Sequence, residues 1–370
     1  MPPPPPRHPR SRTRLVLVSL LPTFTLLAMA AFCVLFFASG AYGTLLEGLR
    51  ERFGHHILVG LAVIPLLLFG MLTFIYPAYW IEVHLLPDRD SDHPLWWPGT
   101  LRDLAVDWFF SVLILYAISF LIAVLPFGWW LVCGIAAGCY TGIQHRIGFH
   151  GLLKRAAHLD PLDDPPLTRA LAEPLQTLNA HIGSLATWEE TEFELPIPYP
   201  GLVVAGSPRH LHVFLPARSA HTTKTPDLAA DIVHAIAHHL ELNARRNGLL
   251  HAFFTTALLG LAALALAFLN LAASPADPGQ LARLPLLVAA ICLLMPPLQT
   301  AANLVTRRWI LHADRSAARA LGDPAAIARR IRFHRHHEAT PAVLPAWLEA
   351  ITRTLPLPAT RIRALRKPHT

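Results

Sequence analysis

Long uncharged apolar runs separated by short polar stretches dominate the chain. They fall at about 15 to 40, 57 to 81, 108 to 143, 249 to 273 and 284 to 306, each near or above the roughly 20 residues a helix needs to cross a bilayer. The run from 108 to 143 is too long for one crossing. Pro126-Phe127-Gly128 near its middle reads as a tight turn, so the pattern predicts about six transmembrane helices. The polar remainder lies at 144–248 and 307–370, on either side of a membrane hairpin at 249–306. In its first part, 163–182 has the Leu and Ala spacing of a helix. Leu202–Ala205 and Leu211–Leu215 read as short strands about a Gly206-Ser207-Pro208 turn, and Pro226 with Asp227 opens a further helix. The expected fold class is a predominantly α membrane protein with a small α+β domain that the hairpin interrupts. A disordered Pro/Arg-rich segment at 1–14 and a four-span region at 15–143 precede that domain.

Composition strengthens the membrane reading. Hydrophobic residues make up 53% of the chain and charged ones 15%, which excludes an ordinary soluble enzyme of this length. The first run is longer than a signal-peptide core and shows no small-residue cleavage site, so it reads as an uncleaved anchor. Arg7, Arg10, Arg12 and Arg14 place the N-terminus inside, and the arginines after each return place 144–248 and the tail there too. The net charge of +7 is explained by these flanks and by attraction to anionic lipid, without a nucleic-acid partner. Abundant Arg, Ala and Pro beside scarce Lys point to a bacterial inner membrane. Cys33, Cys133, Cys139 and Cys292 all lie inside apolar runs, which argues against a disulfide framework or a thiolate metal site.

The candidate chemistry lies at His234-Ala235-Ile236-Ala237-His238. Residues four apart share one helical face, so these two imidazoles can be aimed at one tetrahedral zinc. In the H-E-x-x-H arrangement the second position is the Glu that moves the water proton, and here it is Ala235. Proton transfer of that kind is worth roughly 10²–10⁴-fold, so an ordinary hydrolytic rate is not expected. Asp231, His234, His238 and Glu241 share one face. Glu241 is a local substitute for the missing base, but it lies about two turns, roughly 10 Å, from His234. Two plainer readings stand beside the metal reading: a charged stripe that solvates the helix, and neutral histidines packed between helices. His210 and His212 share a strand face, and His334, His336 and His337 with Arg332 and Arg335 form a basic tract.

After the hairpin comes Thr306-Arg307-Arg308-Trp309-Ile310-Leu311-His312-Ala313-Asp314-Arg315, and near the end Thr354-Leu355-Pro356 and Arg361-Ile362 with Leu365. With the strand pair and the histidine helix, this order over about 165 to 366 resembles the integral-membrane zinc metallopeptidases of the CAAX prenyl endopeptidase and HtpX kind. The resemblance implies a gluzincin-like fold in which the second helix supplies a third zinc ligand. Ile310 stands at that ligand position, Ala235 at the general base and Leu355 at a late His. Asp314, whose counterpart orients a ligand His, is kept. His312 is a second candidate substitute, about 200° around the helix from Ile310.

These departures mark a degenerate member. The expected function is that of a catalytically impaired or inactive homologue that binds a peptide or a membrane-protein partner, with zinc weak or absent because two imidazoles lack a third ligand. An active zinc endopeptidase with a non-standard site is the alternative. A transporter is disfavoured, because the spans lack the ionisable residues that mark an ion path.

Overall fold

The computed structural model describes residues 12–54, 56–85, 96–125, 127–156, 159–188, 202–268, 281–337, 349 and 355–366. The proline run, the hairpin loop through residue 280 and Thr354 lie outside them. So do the side chains of His334, His336 and His337.

Helices α1 (Arg12–Ala38), α2 (Ala41–Phe53), α3 (His56–Leu85), α4 (Trp96–Val124) and α5 (Trp129–Ala156) come first. Then follow β1 (Leu159–Pro161), α6 (Pro165–Thr177), β2 (Ile182–Trp188), β3 (Val203–Ser207), β4 (His210–Pro216), α7 (Ala217–Thr222) and α8 (Thr225–Glu241). The chain continues through α9 (Ala244–Phe268), α10 (Leu284–Leu321), α11 (Pro324–His337) and α12 (Pro358–Leu365). Five stretches among the described residues are long and apolar enough to cross a membrane: Leu20–Ala38, Leu58–Ile75, Ala105–Val124, Ala244–Phe268 and Leu281–Leu321, the last longer than one crossing needs and apolar only up to Val305, before Arg307 and Arg308. The remaining expected crossing, α5, forms as a 28-residue helix. Gly134, Gly138, Gly142, Thr141 and Gln144 dilute its apolar character, so it does not join the other five.

Two compact units result, residues 1–135 with 253–299 and residues 136–252 with 300–370. The first is a helical membrane body. Cys33, Val63, Ile64, Ile122, Leu284 and Leu287 are buried in its core. Polar groups there must be satisfied without water. The Tyr116 hydroxyl donates to the Gly60 carbonyl at 3.0 Å, and the Tyr42 hydroxyl donates to the Leu281 carbonyl. Phe69, Phe120 and Phe268 are 65%, 67% and 82% exposed, a surface that lipid covers and water would not. Pro22, Pro65, Pro296 and Pro297 sit inside helices, which membrane helices tolerate better than soluble ones.

The second unit is built on a four-stranded sheet in the order β1-β2-β4-β3. β2 runs parallel to β4, and the two outer pairings are antiparallel. The expected strand pair forms as β3 and β4, turning at Pro208-Arg209, with Gly206 in the left-handed region at φ 101°. A side chain at Gly206 would strike the His210 carbonyl, so the turn needs glycine.

β1 and β2 are strands the residue pattern does not announce. The expected helix at 163–182 forms as α6 and stops at Thr177, because Asn179 takes a positive φ and the chain turns into β2. α6 starts where Asp164 caps the Leu167 amide at 3.0 Å with Pro165 in the first turn.

Leu228, Ile232 and Ile236 of α8, four apart, are buried against Leu211, Val213 and Leu215 of β4 and Ala313 and Ala317 of α10. Each large aliphatic side chain buried this way contributes roughly 1.5–3 kcal/mol. In the same unit α5 and α9 touch backbone to backbone. A Cβ added at Gly138 would lie 2.6 Å from that of Ala252 and 2.7 Å from the Gly248 carbonyl.

Candidate functional site

Three elements meet in the second unit to form the site: α8, the polar end of α10 beyond Arg307, and α12. α8 opens with Pro226 in its first turn and runs uninterrupted through His238, so His234 and His238 stand one turn apart with their rings 4.6 Å between centroids and nearly perpendicular. Burial of the Ile232 and Ile236 face sets the rotation of the helix and leaves the imidazoles partly buried, at 13% and 20% side-chain exposure.

Asp314 of α10 is fully buried between them. Its Oδ1 lies 2.8 Å from His234 Nε2 and 2.9 Å from His238 Nε2. It therefore meets the ring nitrogens that face the centre of the site. An orienting carboxylate would instead hold the opposite nitrogen. One ligand atom from each of His234, His238 and Asp314 falls within 4.8 Å of the others, a spacing that could hold a metal ion.

Arg361 of α12 completes the cluster, and sequence reasoning did not place it there. Its Nε donates to Asp314 Oδ2 at 2.8 Å and its Nη2 to Oδ1 at 2.6 Å, a two-point fork. The same Nη2 lies 2.9 Å from His234 Nε2 and 3.2 Å from His238 Nε2. The only sequence signal was the likeness of Arg361-Ile362 to a late family segment.

Ionisation follows from this packing. Burial favours a neutral Asp314, but the adjacent Arg361 charge, then hydrogen bonds from Arg361, His234 and His238, hold its carboxyl well below the usual range. Burial lowers His238 to about 4, further depressed by His234 and Arg361 and opposed by Asp314, so its ring is neutral near pH 7.

The other sequence candidates are placed differently. Ala235 is half-buried beside the pair, and Ile310, one turn before Asp314, is buried at 3% exposure. Glu241 and His312, the two candidate substitutes, bond each other: His312 Nδ1 lies 2.9 Å from Glu241 Oε1, and Arg246 forms an ion pair with the same carboxylate. Asp231 turns to Arg330, whose Nε donates at 2.7 Å in a buried pair. His212 Nδ1 lies 2.6 Å from Ser184 Oγ on the sheet. Leu355 is exposed at the start of the segment leading into α12.

Two imidazoles and a carboxylate are a proper donor set for zinc. The guanidinium is not compatible with it: it has no lone pair to coordinate, and a divalent ion about 4 Å from a fixed unit charge is repelled by about 8 kcal/mol, twice the unit-charge value at an effective dielectric of 20. With Arg361 seated, the site does not fit the ion.

No family model matches the chain, and no curated protein matches it in sequence. Among solved structures, the crystal structure of Ste24p from S. mikatae is similar to it with a TM-score of 0.60, covering 90% of this chain and 82% of that one at 14% identity. At that identity the likeness concerns fold alone. With its long apolar helices, the chain is thus an integral membrane protein whose fold is similar to that of Ste24p.

Proposed function

We propose that this chain is a membrane metallopeptidase homologue that does not hydrolyse peptides and instead binds an extended peptide or a segment of a membrane protein. The observation that carries this reading is chemical. The residue at the general-base position, Ala235, is a methyl group, and the carboxylate beside the histidines, Asp314, is held ionised in a fork with Arg361. Ala235 has no proton acceptor, and a carboxylate whose two oxygens are both taken by Arg361 and whose proton affinity is lowered is a poor general base.

The binding surface proposed is the outer edge of β3, which has no strand partner among the described residues. It runs beside the histidine helix, where His239 Nε2 donates to the Gly206 carbonyl at 3.0 Å. A free edge takes up an extended chain by main-chain hydrogen bonding.

Purified protein in detergent is expected to leave casein and membrane substrates uncut, with or without chelator. Ala235→Glu alone is expected to restore nothing, because Ile310 and Arg361 remain. Chelator-sensitive cleavage that disappears in His238→Ala would end this reading. It would favour the second one, an active zinc endopeptidase, for which the clustering of His234, His238 and Asp314 speaks.

The arginine flanks favour the second unit and both termini in the cytoplasm, and abundant Arg, Ala and Pro beside scarce Lys favour a bacterial inner membrane. A reporter fused after Thr370 is expected to be active only if its enzyme works in the cytoplasm. Activity of a periplasm-only reporter there would invert the topology.

A further inference from the structure

We propose that Arg361 is the resident cation of the His234–His238–Asp314 site, so that the second unit is completed by a guanidinium and excludes zinc until that side chain is removed. The inference deepens the reading above and takes from it only the identity of the site.

Position, charge and anchoring support it together. Nη2 of Arg361 is 2.6, 2.9 and 3.2 Å from the three atoms that a metal would have to bind. It supplies hydrogens to the face of the cluster that a zinc ion would need open. The charge closes as well. One buried carboxylate and one buried guanidinium sum to zero, whereas zinc added to the same group would leave two uncompensated positive charges.

Arg361 is also held in place from outside the site. The buried Glu349 accepts from Arg307 Nη2 at 2.7 Å, from the Leu357 amide at 2.8 Å and from Thr360 Oγ1 at 3.1 Å, which ties the start of α12 to α10. Arg315 reaches the Ala364 carbonyl at 3.4 Å near the other end of α12. With both ends of a short helix pinned, the backbone that carries Arg361 is fixed beside the site, and the two-point bond to Asp314 holds the guanidinium there.

The test compares the full-length wild type with Arg361→Met, and with Arg361→Met carrying His234→Ala and His238→Ala, all in detergent. Bound zinc after dialysis and the shift of the melting midpoint on adding zinc are measured for each. The variant without His234 and His238 keeps the other histidines, so zinc that they bind is subtracted.

Wild type is expected to carry no site zinc and to melt at the same temperature with and without the ion. Arg361→Met leaves Asp314 without a cation. It is expected to gain near-stoichiometric zinc and to melt several degrees higher when zinc is present, both effects vanishing without the histidines. Stoichiometric zinc on wild type that the histidine substitutions remove would overturn the proposal, and so would a folded Arg361→Met that gains none.

If Arg361→Met does not fold, cobalt added to wild type decides. Tetrahedral d–d bands that need His234 and His238 count against the proposal, and their absence supports it. Wild type that binds zinc but cuts nothing would overturn this inference and leave the non-hydrolytic reading standing. Chelator-sensitive cleavage would overturn both.

Discussion

Replacing Asp314 with alanine is expected to destabilise the second unit by about 3–5 kcal/mol, the usual cost of stranding one partner of a buried ion pair. Asp314 has no solvent exposure and accepts from Arg361 at both carboxylate oxygens, with His234 and His238 on Oδ1. Without it, a guanidinium that is 10% exposed keeps its charge without a counter-charge beside it. Removing both charges is a milder change, because the desolvation that the pair had to overcome goes with them. Asp314→Leu with Arg361→Met is therefore expected to recover most of the loss. Denaturant unfolding in a fixed detergent would measure both variants, and an Asp314→Ala protein as stable as wild type would refute the cluster as a structural hub.

Acidification is expected to weaken the fold in two successive windows. His238 is lowered from 6.5 to about 4 in the native state, chiefly by burial. The unfolded ring therefore binds a proton that the native ring refuses. This favours unfolding progressively as pH falls from about 6.5 to about 4, by about 3 kcal/mol in all at 1.36 kcal/mol per unit. Above 6.5 the group adds no pH dependence.

Asp314 acts lower down. Its native carboxyl is held well below 3.8, so the stability it contributes is intact above that value and drains away only as pH drops further. Thermal unfolding of wild type and His238→Gln between pH 7.5 and 4.5 isolates the first window. The variant is expected to lose that part of the slope, and parallel curves would mean that His238 is already protonated in the native state.

The sequence announced those parts of the molecule whose energetics are periodic. Apolar runs long enough for a bilayer marked five of the crossings. The i, i+4 spacing of His234 and His238 placed both on one helix face, and alternation found β3 and β4.

β2 escaped because Gly183, Ser184 and Ala186 interrupt any alternation, and because its place beside β4 is decided by pairing between distant segments. α5, the sixth expected crossing, is apolar in its first half, while its Gly138 and Gly142 serve close contact with α9, a use of glycine that no apolar run announces. Arg361 could not be placed from spacing, since it stands 127 residues from His234 and is brought to it by the ties that Glu349 and Arg315 make to α12. Asp314 was expected to orient a histidine from behind and meets both at the front, a difference of which nitrogen is used that no sequence pattern records.

The four cluster residues also have an order in time. Translation delivers His234 and His238 first, then the two membrane-crossing stretches of α9 and α10, then Asp314, and Arg361 last. A nascent chain holds both imidazoles and the carboxylate before it holds the guanidinium that balances the carboxylate. One that stalls after α11 exposes an acidic group still waiting for its counter-charge. Closure of the cluster therefore waits for the last helix of the chain, and the charge balance of the second unit is among the final things its synthesis supplies.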